Sequence, residues 1–303
     1  MIFSGIPSGF KPNSIASGFF NLLLIASFLF LAKSESYGQV SLKGSVVSEE
    51  GKEIPFVRIG IIETRVALMS DIGGNFELQI PDQYKNRSLT FQVPGFKTRS
   101  VLLSDLIKES NPRIVLVEDI IVLNDIVVSN KRLKRKVIGN DGERKGSDVD
   151  NDFKGDINMA YAIKAKGRKA PYVVTKLSVL VRNPYSHPYY IRPLIMTYDE
   201  ETGKPGKNLL SENIYFEVEE GRGWMDIDLE GYNVTAEGTI VIGVEWLGTS
   251  GEVPYFSISY DFGKAESFRR TMTSEGFKAT GKSNWLPYNS QRKRPLIKAE
   301  IEY

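Results

Sequence analysis

Asp226, Asp228 and Glu230 alternate with apolar residues in Trp224-Met225-Asp226-Ile227-Asp228-Leu229-Glu230. Successive side chains of a strand point to opposite faces, so all three carboxylates would share one face. Carboxylate pairs cleave glycosidic bonds, one protonating the leaving oxygen while the other attacks or activates water. The retaining form needs the two about 5 to 5.5 Å apart. Positions i and i+4 of a straight strand lie about 13 Å apart, so Asp226 and Glu230 would need a bulge to cooperate. With Gly231 ending the strand, the simpler expectation is a solvent-facing acidic edge with Ile227 and Leu229 packed inward. The same oxygens could hold Ca2+, but no loop of fixed ligand spacing accompanies them, and no metal is expected. The single imidazole, His187, sits in Asn183-Pro184-Tyr185-Ser186-His187-Pro188-Tyr189-Tyr190. A Ser-His-Asp triad would have to use it, yet no Gly-x-Ser-x-Gly turn presents a serine. The rings of Tyr185, Tyr189 and Tyr190 in that loop are the first candidates for ligand binding, since exposed rings stack on sugars and pack on protein partners. Asp226, Asp228 and Glu230 form the alternative site. Trp224, Trp246 and Trp285 read as core or half-buried anchors, the first two because they lie in apolar strands.

Composition narrows the classes further. The 303 residues are 41% hydrophobic and 25% charged, as in ordinary globular proteins, and the length suits about two domains. Lys plus Arg number 39 against 37 Asp plus Glu, and a net charge of +2 offers no global pull on nucleic acid, for which no recognition helix or RNA-binding signature exists either. The absence of Cys removes disulfides, thiolate metal sites and cysteine nucleophiles. No cofactor is expected, and the protein reads as a non-enzyme.

The N-terminus reads as an address. Phe19 to Ala32 is an apolar run of 14 residues, shorter than the roughly 20 that a spanning helix needs, with Lys11 before it and small residues after it. Residues 1–38 are therefore assigned to a signal peptide cleaved after Gly38, which leaves no transmembrane span after cleavage; an uncleaved signal anchor is the alternative. The protein is expected in the periplasm, at the outer membrane or on the cell surface.

From Val40 to Val117, β-branched runs recur about every ten residues between turns, the pattern of a sandwich. The runs are Val40 to Ser48, Phe56 to Ile62, Phe76 to Ile80, Ser88 to Val93 and Ile114 to Val117. Asp71-Ile72-Gly73-Gly74 supplies a turn in which Gly74 is expected at positive φ. Gly44-Ser45-Val46-Val47, Ile54-Pro55-Phe56-Val57-Arg58-Ile59, Ser70-Asp71-Ile72-Gly73-Gly74-Asn75-Phe76-Glu77-Leu78 and Leu89-Thr90-Phe91, leading to Pro94-Gly95-Phe96, follow one another in an order and spacing that resemble the carboxypeptidase regulatory-like domain of Bacteroidota exported proteins. The resemblance covers about eighty residues and implies a transthyretin-like sandwich over 39–118. Ala67-Leu68 stands where a glycine-threonine is usual, and Gly95-Phe96 where Gly-Tyr is. The resemblance implies no catalysis, because this sandwich accompanies the catalytic unit of carboxypeptidases and carries none of its zinc ligands.

Glu118 to Ser129 is similar to the junction that follows this domain in TonB-dependent outer-membrane receptors, but too little chain remains for a plugged barrel. Lys131 to Lys136 holds five cations in six residues, and a Gly- and Asp-rich stretch follows. Residues 119–156 are expected to form a β-prone connector followed by a basic and Gly-Asp-rich solvated linker, with a polybasic patch for anionic envelope polymers or lipid headgroups as the other reading. Residues 157–303 are expected to form a second antiparallel β-sandwich, of which a jelly roll is one form, with strands at Tyr172 to Arg182, Ile191 to Tyr198, Asn213 to Val218, Gly223 to Leu229, Thr239 to Trp246 and Tyr255 to Tyr260. Tyr198 to Leu210 is similar to a loop of jelly-roll modules in secreted bacterial surface proteins, and the acidic strand faintly resembles that of jelly-roll glycoside hydrolases, which use Glu where Asp226 stands. The expectation is an all-β, non-enzymatic cell-envelope protein that binds a protein partner or an envelope polysaccharide. The alternatives are a glycan-binding or glycan-hydrolysing jelly roll, or an accessory subunit of an outer-membrane receptor complex.

Overall fold

The computed structural model describes residues 38–119, 133–142, 146–147, 160–183, 186, 188–247, 257–262, 266–270, 285–288 and 293–303. The signal segment, Tyr185, His187 and most of the expected connector lie outside these residues. Gln39–Tyr303 forms one compact unit, and the protein is all-β.

The first module has seven strands: β1 Gln39–Ser48, β2 Arg58–Gly60, β3 Ala67–Met69, β4 Asn75–Pro81, β5 Ser88–Gln92, β6 Arg99–Leu102 and β7 Arg113–Leu116. One sheet runs β4-β1-β7 and the other β3-β2-β5-β6, all neighbours antiparallel except β1 and β7. Alternation drives the assembly. Phe76, Leu78 and Ile80 of β4 are buried while Glu77 and Gln79 face water, and Val46, Ile59 and Phe91 complete a core between the sheets. Gly74 takes φ +75°, as the turn requires, and a Cβ there would meet the carbonyl oxygen of Val46 at 2.7 Å.

The second module begins earlier than expected. The strand β8 Arg135–Gly139 emerges from the basic run, followed by β9 Gly146–Ser147. Residues assigned to a solvated connector are thus sheet strands, because the cation of Arg135 is matched by carboxylates: Glu302 at 2.6 Å, Glu300 at 3.4 Å and Glu230 at 3.8 Å. Then follow β10 Ala160–Lys166, β11 Tyr172–Asn183, β12 Tyr189–Asp199, β13 Lys204–Asn208, β14 Phe216–Val218, β15 Gly221–Asp228, β16 Val234–Ala236, β17 Thr239–Trp246, β18 Ser257–Phe262, β19 Ser267–Arg270, β20 Leu286–Pro287, β21 Lys293–Pro295 and β22 Ile297–Glu302. A seven-stranded sheet runs β13-β12-β17-β10-β19-β20, with β14 also on β12. An eight-stranded sheet runs β21-β18-β11-β22-β8, with β15 and β16 along the other flank of β11 and β9 on β18. Ile163, Ile195 and Ile242 from the first sheet meet Leu177, Val179 and Ile301 from the second in a dry core. Tyr198 to Leu210 forms the β12–β13 hairpin, its turn held by Asp199, whose carboxylate accepts from Glu201 N, Thr202 N and Thr202 Oγ1.

The two sheets differ in what covers their outer faces. On the seven-stranded sheet, Leu194, Met196, Phe268 and Trp285 form a further buried cluster, and the first module packs at one end. The outer face of the eight-stranded sheet is polar and wet, as one-sided antiparallel sheets allow.

Candidate functional site

At the junction of the modules, Arg192 on β12 and Glu245 on β17 sit directly opposite, 1% and 2% exposed. Arg192 Nη1 donates to Glu245 Oε2 at 2.6 Å, while Nη2 donates to Asn213 Oδ1 at 2.7 Å and to the carbonyl of Phe56, in the first module, at 3.1 Å. Arg270 on β19 reaches across the small Ala160 to the other oxygen of Glu245. Burial pulls the Arg192 pKa down, and Glu245 pushes back. Phe56 is held at φ +55°, which a bulky residue adopts only when its surroundings over-determine it. Those surroundings are Arg192, Asn213 Nδ2 donating to Pro55 O at 2.9 Å, and the rings of Tyr215 and Tyr190, 4.9 and 5.3 Å away.

Two of the three expected ligand-binding rings are therefore half-buried and packed against other residues. Tyr190 belongs to this junction, with Met69 and Leu247 beneath it. Tyr189 packs against the core of the second module and its hydroxyl donates to the carbonyl of Arg182 at 3.2 Å; burial pushes its pKa up. Tyr185 lies outside the described residues. The loop reading fails for Tyr189 and Tyr190 because both are strand residues of β12, where one points into the core and the next toward the first module.

The acids separate in space. Asp226 and Asp228 face water on β15 with Ile227 fully buried between them, as alternation requires. Glu230 does not continue the row: it opens a 3-10 turn, Glu230–Tyr232, whose start is fixed by Glu230 N donating to Asp228 Oδ1 at 2.9 Å. Asp226 is engaged by Ser178 Oγ, which donates at 2.6 Å, and by Lys176 at 3.9 Å. Glu230 therefore does not stand in one row with Asp226 and Asp228 on the sheet face, and the retaining pair of Asp226 with Glu230 does not form there. Among the described residues no group of three potential metal ligands occurs.

Among the described residues the aromatic ring that faces water is Trp224. It is 39% exposed, whereas Trp246 and Trp285 are each 3% exposed, so the expected anchoring role holds for the latter two and not for Trp224. Trp224 stands on β15 opposite Leu180 of β11, two residues from Asp226, and Lys298 of β22 lays its ammonium 4.4 Å from the ring centroid. Lys298 can cross β11 because the residue between it and Asp226 is the short Ser178. The result is a half-exposed ring on the sheet face, with Lys298 over one of its faces and Ser178 and Asp226 beside it.

The first module has a recognisable sequence family. Residues 42–128 match the model of the CarboxypepD_reg-like domain. The match takes in every strand of the first module after the opening of β1, and the CarboxypepD_reg-like module is where the quoted turn and strand pieces lie. It does not extend to the Trp224 face. No curated protein matches the chain. Among solved structures, a chain of the infectious bursal disease virus Gx strain is similar at 9% identity with a TM-score of 0.23, over 88% of this chain and 65% of that one. The chain thus spans less than two thirds of the viral chain, and a likeness at that score bears on neither fold nor activity.

Proposed function

We propose that the protein is an exported, non-catalytic binding protein of the cell envelope that holds a polysaccharide on the outer face of its eight-stranded sheet. One observation carries the reading: Trp224 stands in water on a regular sheet face among residues that can hydrogen-bond a sugar. The binding surface is therefore in the second module, and the CarboxypepD_reg-like module, a non-catalytic domain type, serves as its base through the Arg192 junction. Two further points favour the reading. Among the described residues the first strand opens at Gln39, the residue that would follow a cleaved signal peptide. The divergence of Glu230 from Asp226 and Asp228 favours retention over cleavage.

The test is retention of purified protein on insoluble envelope polysaccharide, read together with release of soluble sugar. Wild type should be retained without product. Trp224→Ala should fold normally and lose about five-fold or more in affinity, since a stacked ring contributes about 1 kcal/mol or somewhat more. Retention unchanged in Trp224→Ala, or sugar release by wild type, would overturn the proposal.

A further inference from the structure

The charges of the outer face are segregated. At one end, Glu300 and Glu302 bracket Arg135, and Lys176 lies 3.5 Å from Glu300 and 3.9 Å from Asp226, so acids and bases neutralise one another. At the other end stands Trp224, with Lys298 over its ring. The next residue pair along β11 and β15 is Arg182 opposite Arg222. Among the described residues neither Lys298 nor Arg182 forms an ion pair, and Asp226, two residues from Trp224 on β15, accepts from Ser178 and lies 3.9 Å from Lys176. Like charges near one ring repel one another, and a bound anion beside Lys298 and Arg182 would relieve that repulsion.

We infer that the ligand is an acidic polysaccharide, one sugar stacking on Trp224 while its carboxylate lies between Lys298 and Arg182. This rests on the polysaccharide-binding reading above and adds the chemical class. A neutral sugar would use the ring but leave Arg182 without a counter-charge and Lys298 with the ring alone. A nucleic acid fits less well, because it is held by a succession of rings along a basic groove. Here the outward residues of β8, β11, β15 and β22 include one ring, too few for a succession of stacked bases.

The experiment uses the whole purified protein and two polymers of one backbone, polygalacturonate and its highly methyl-esterified form, with a single-stranded oligonucleotide as the third probe. Polygalacturonate should bind at least about five-fold tighter than the ester, and the advantage should shrink as salt rises from about 50 to about 300 mM. Lys298→Met should weaken polygalacturonate by about three-fold or more and weaken the ester by a clearly smaller factor, with circular dichroism and melting confirming the fold. Equal or tighter binding of the ester, lost in Trp224→Ala, would overturn the acidic class and leave the polysaccharide reading standing. Binding of neither polymer would overturn both. Preference for the oligonucleotide, lost in Lys298→Met, would overturn both in favour of nucleic acid.

Discussion

Arg192→Met keeps an unbranched stem of similar bulk and removes only the guanidinium, so its effect reads the junction directly. Glu245 Oε2 then loses the donor at 2.6 Å, and the carbonyl of Phe56 and the Oδ1 of Asn213 lose theirs. Water cannot step in without opening the junction, because Arg192 and Glu245 are 1% and 2% exposed. Removing one partner of a buried ion pair costs about 3–5 kcal/mol. Arg270, still on Glu245, draws the loss toward the lower figure, while each stranded acceptor adds about 1 kcal/mol or more. The expected total is about 3–5 kcal/mol, or a fall of roughly 6–20 °C in Tm for a unit of this size. Urea unfolding gives the first number and calorimetry the second. Limited proteolysis should also cut the variant between the modules under conditions that leave wild type whole. A loss below about 1 kcal/mol, with proteolysis unchanged, would show that the modules do not lean on this side chain.

Gly74→Val should cost about 1–3 kcal/mol in urea unfolding, because a β-branched residue is forced to φ +75° with its Cβ against the Val46 carbonyl; an unchanged midpoint would refute the turn. Alkaline stability should depend on Tyr172, whose pKa burial raises from 10.0 to about 12. The folded state holds this proton more tightly than the unfolded chain, so the contribution is complete below pH 10 and is lost as pH rises through about 12. Melting curves of Tyr172→Phe should fall less steeply over that window than those of wild type, and parallel curves would refute the assignment.

Legibility in the sequence followed residue type. The β-branched runs of β11, β12 and β17 were readable nearly to the residue, and β4 by its alternation. β22, Ile-Lys-Ala-Glu-Ile-Glu, and β10, rich in Ala and Lys, were hidden because these residues favour strands weakly on their own and take that form from their neighbours in the sheet. β8 was hidden more deeply, since Arg135 reads as linker charge until Glu300 and Glu302 are brought beside it. Arg192 and Glu245 look like surface charges until register puts them opposite one another under Phe56. Trp224 is different, for its signal was present. It shares parity with Asp226 and Asp228, and the rule that placed those acids in water places the ring there too.

The pairing of β8 with β22 bears on the order in which the chain can fold. Asn140 Nδ2 donates to the carbonyl of Pro295, 155 residues on, and the strands on either side of that contact join the first part of the second module to its last. A ribosome or a translocation pore delivers residues from the N-terminus onward. The first module can close its own two sheets once β7 has emerged, but the second must wait for Ile297–Glu302 before β11 gains most of the ladder along one flank. During that wait the apolar row of Val174, Leu177 and Val179 has half of its sheet missing, which is the condition under which edge strands find wrong partners. Pairing across such sequence distances is also slow, on the order of milliseconds to seconds. A chaperone that holds this segment until delivery is finished would therefore raise the yield of folded protein, and coexpressing one should do more for this chain than cooling the culture.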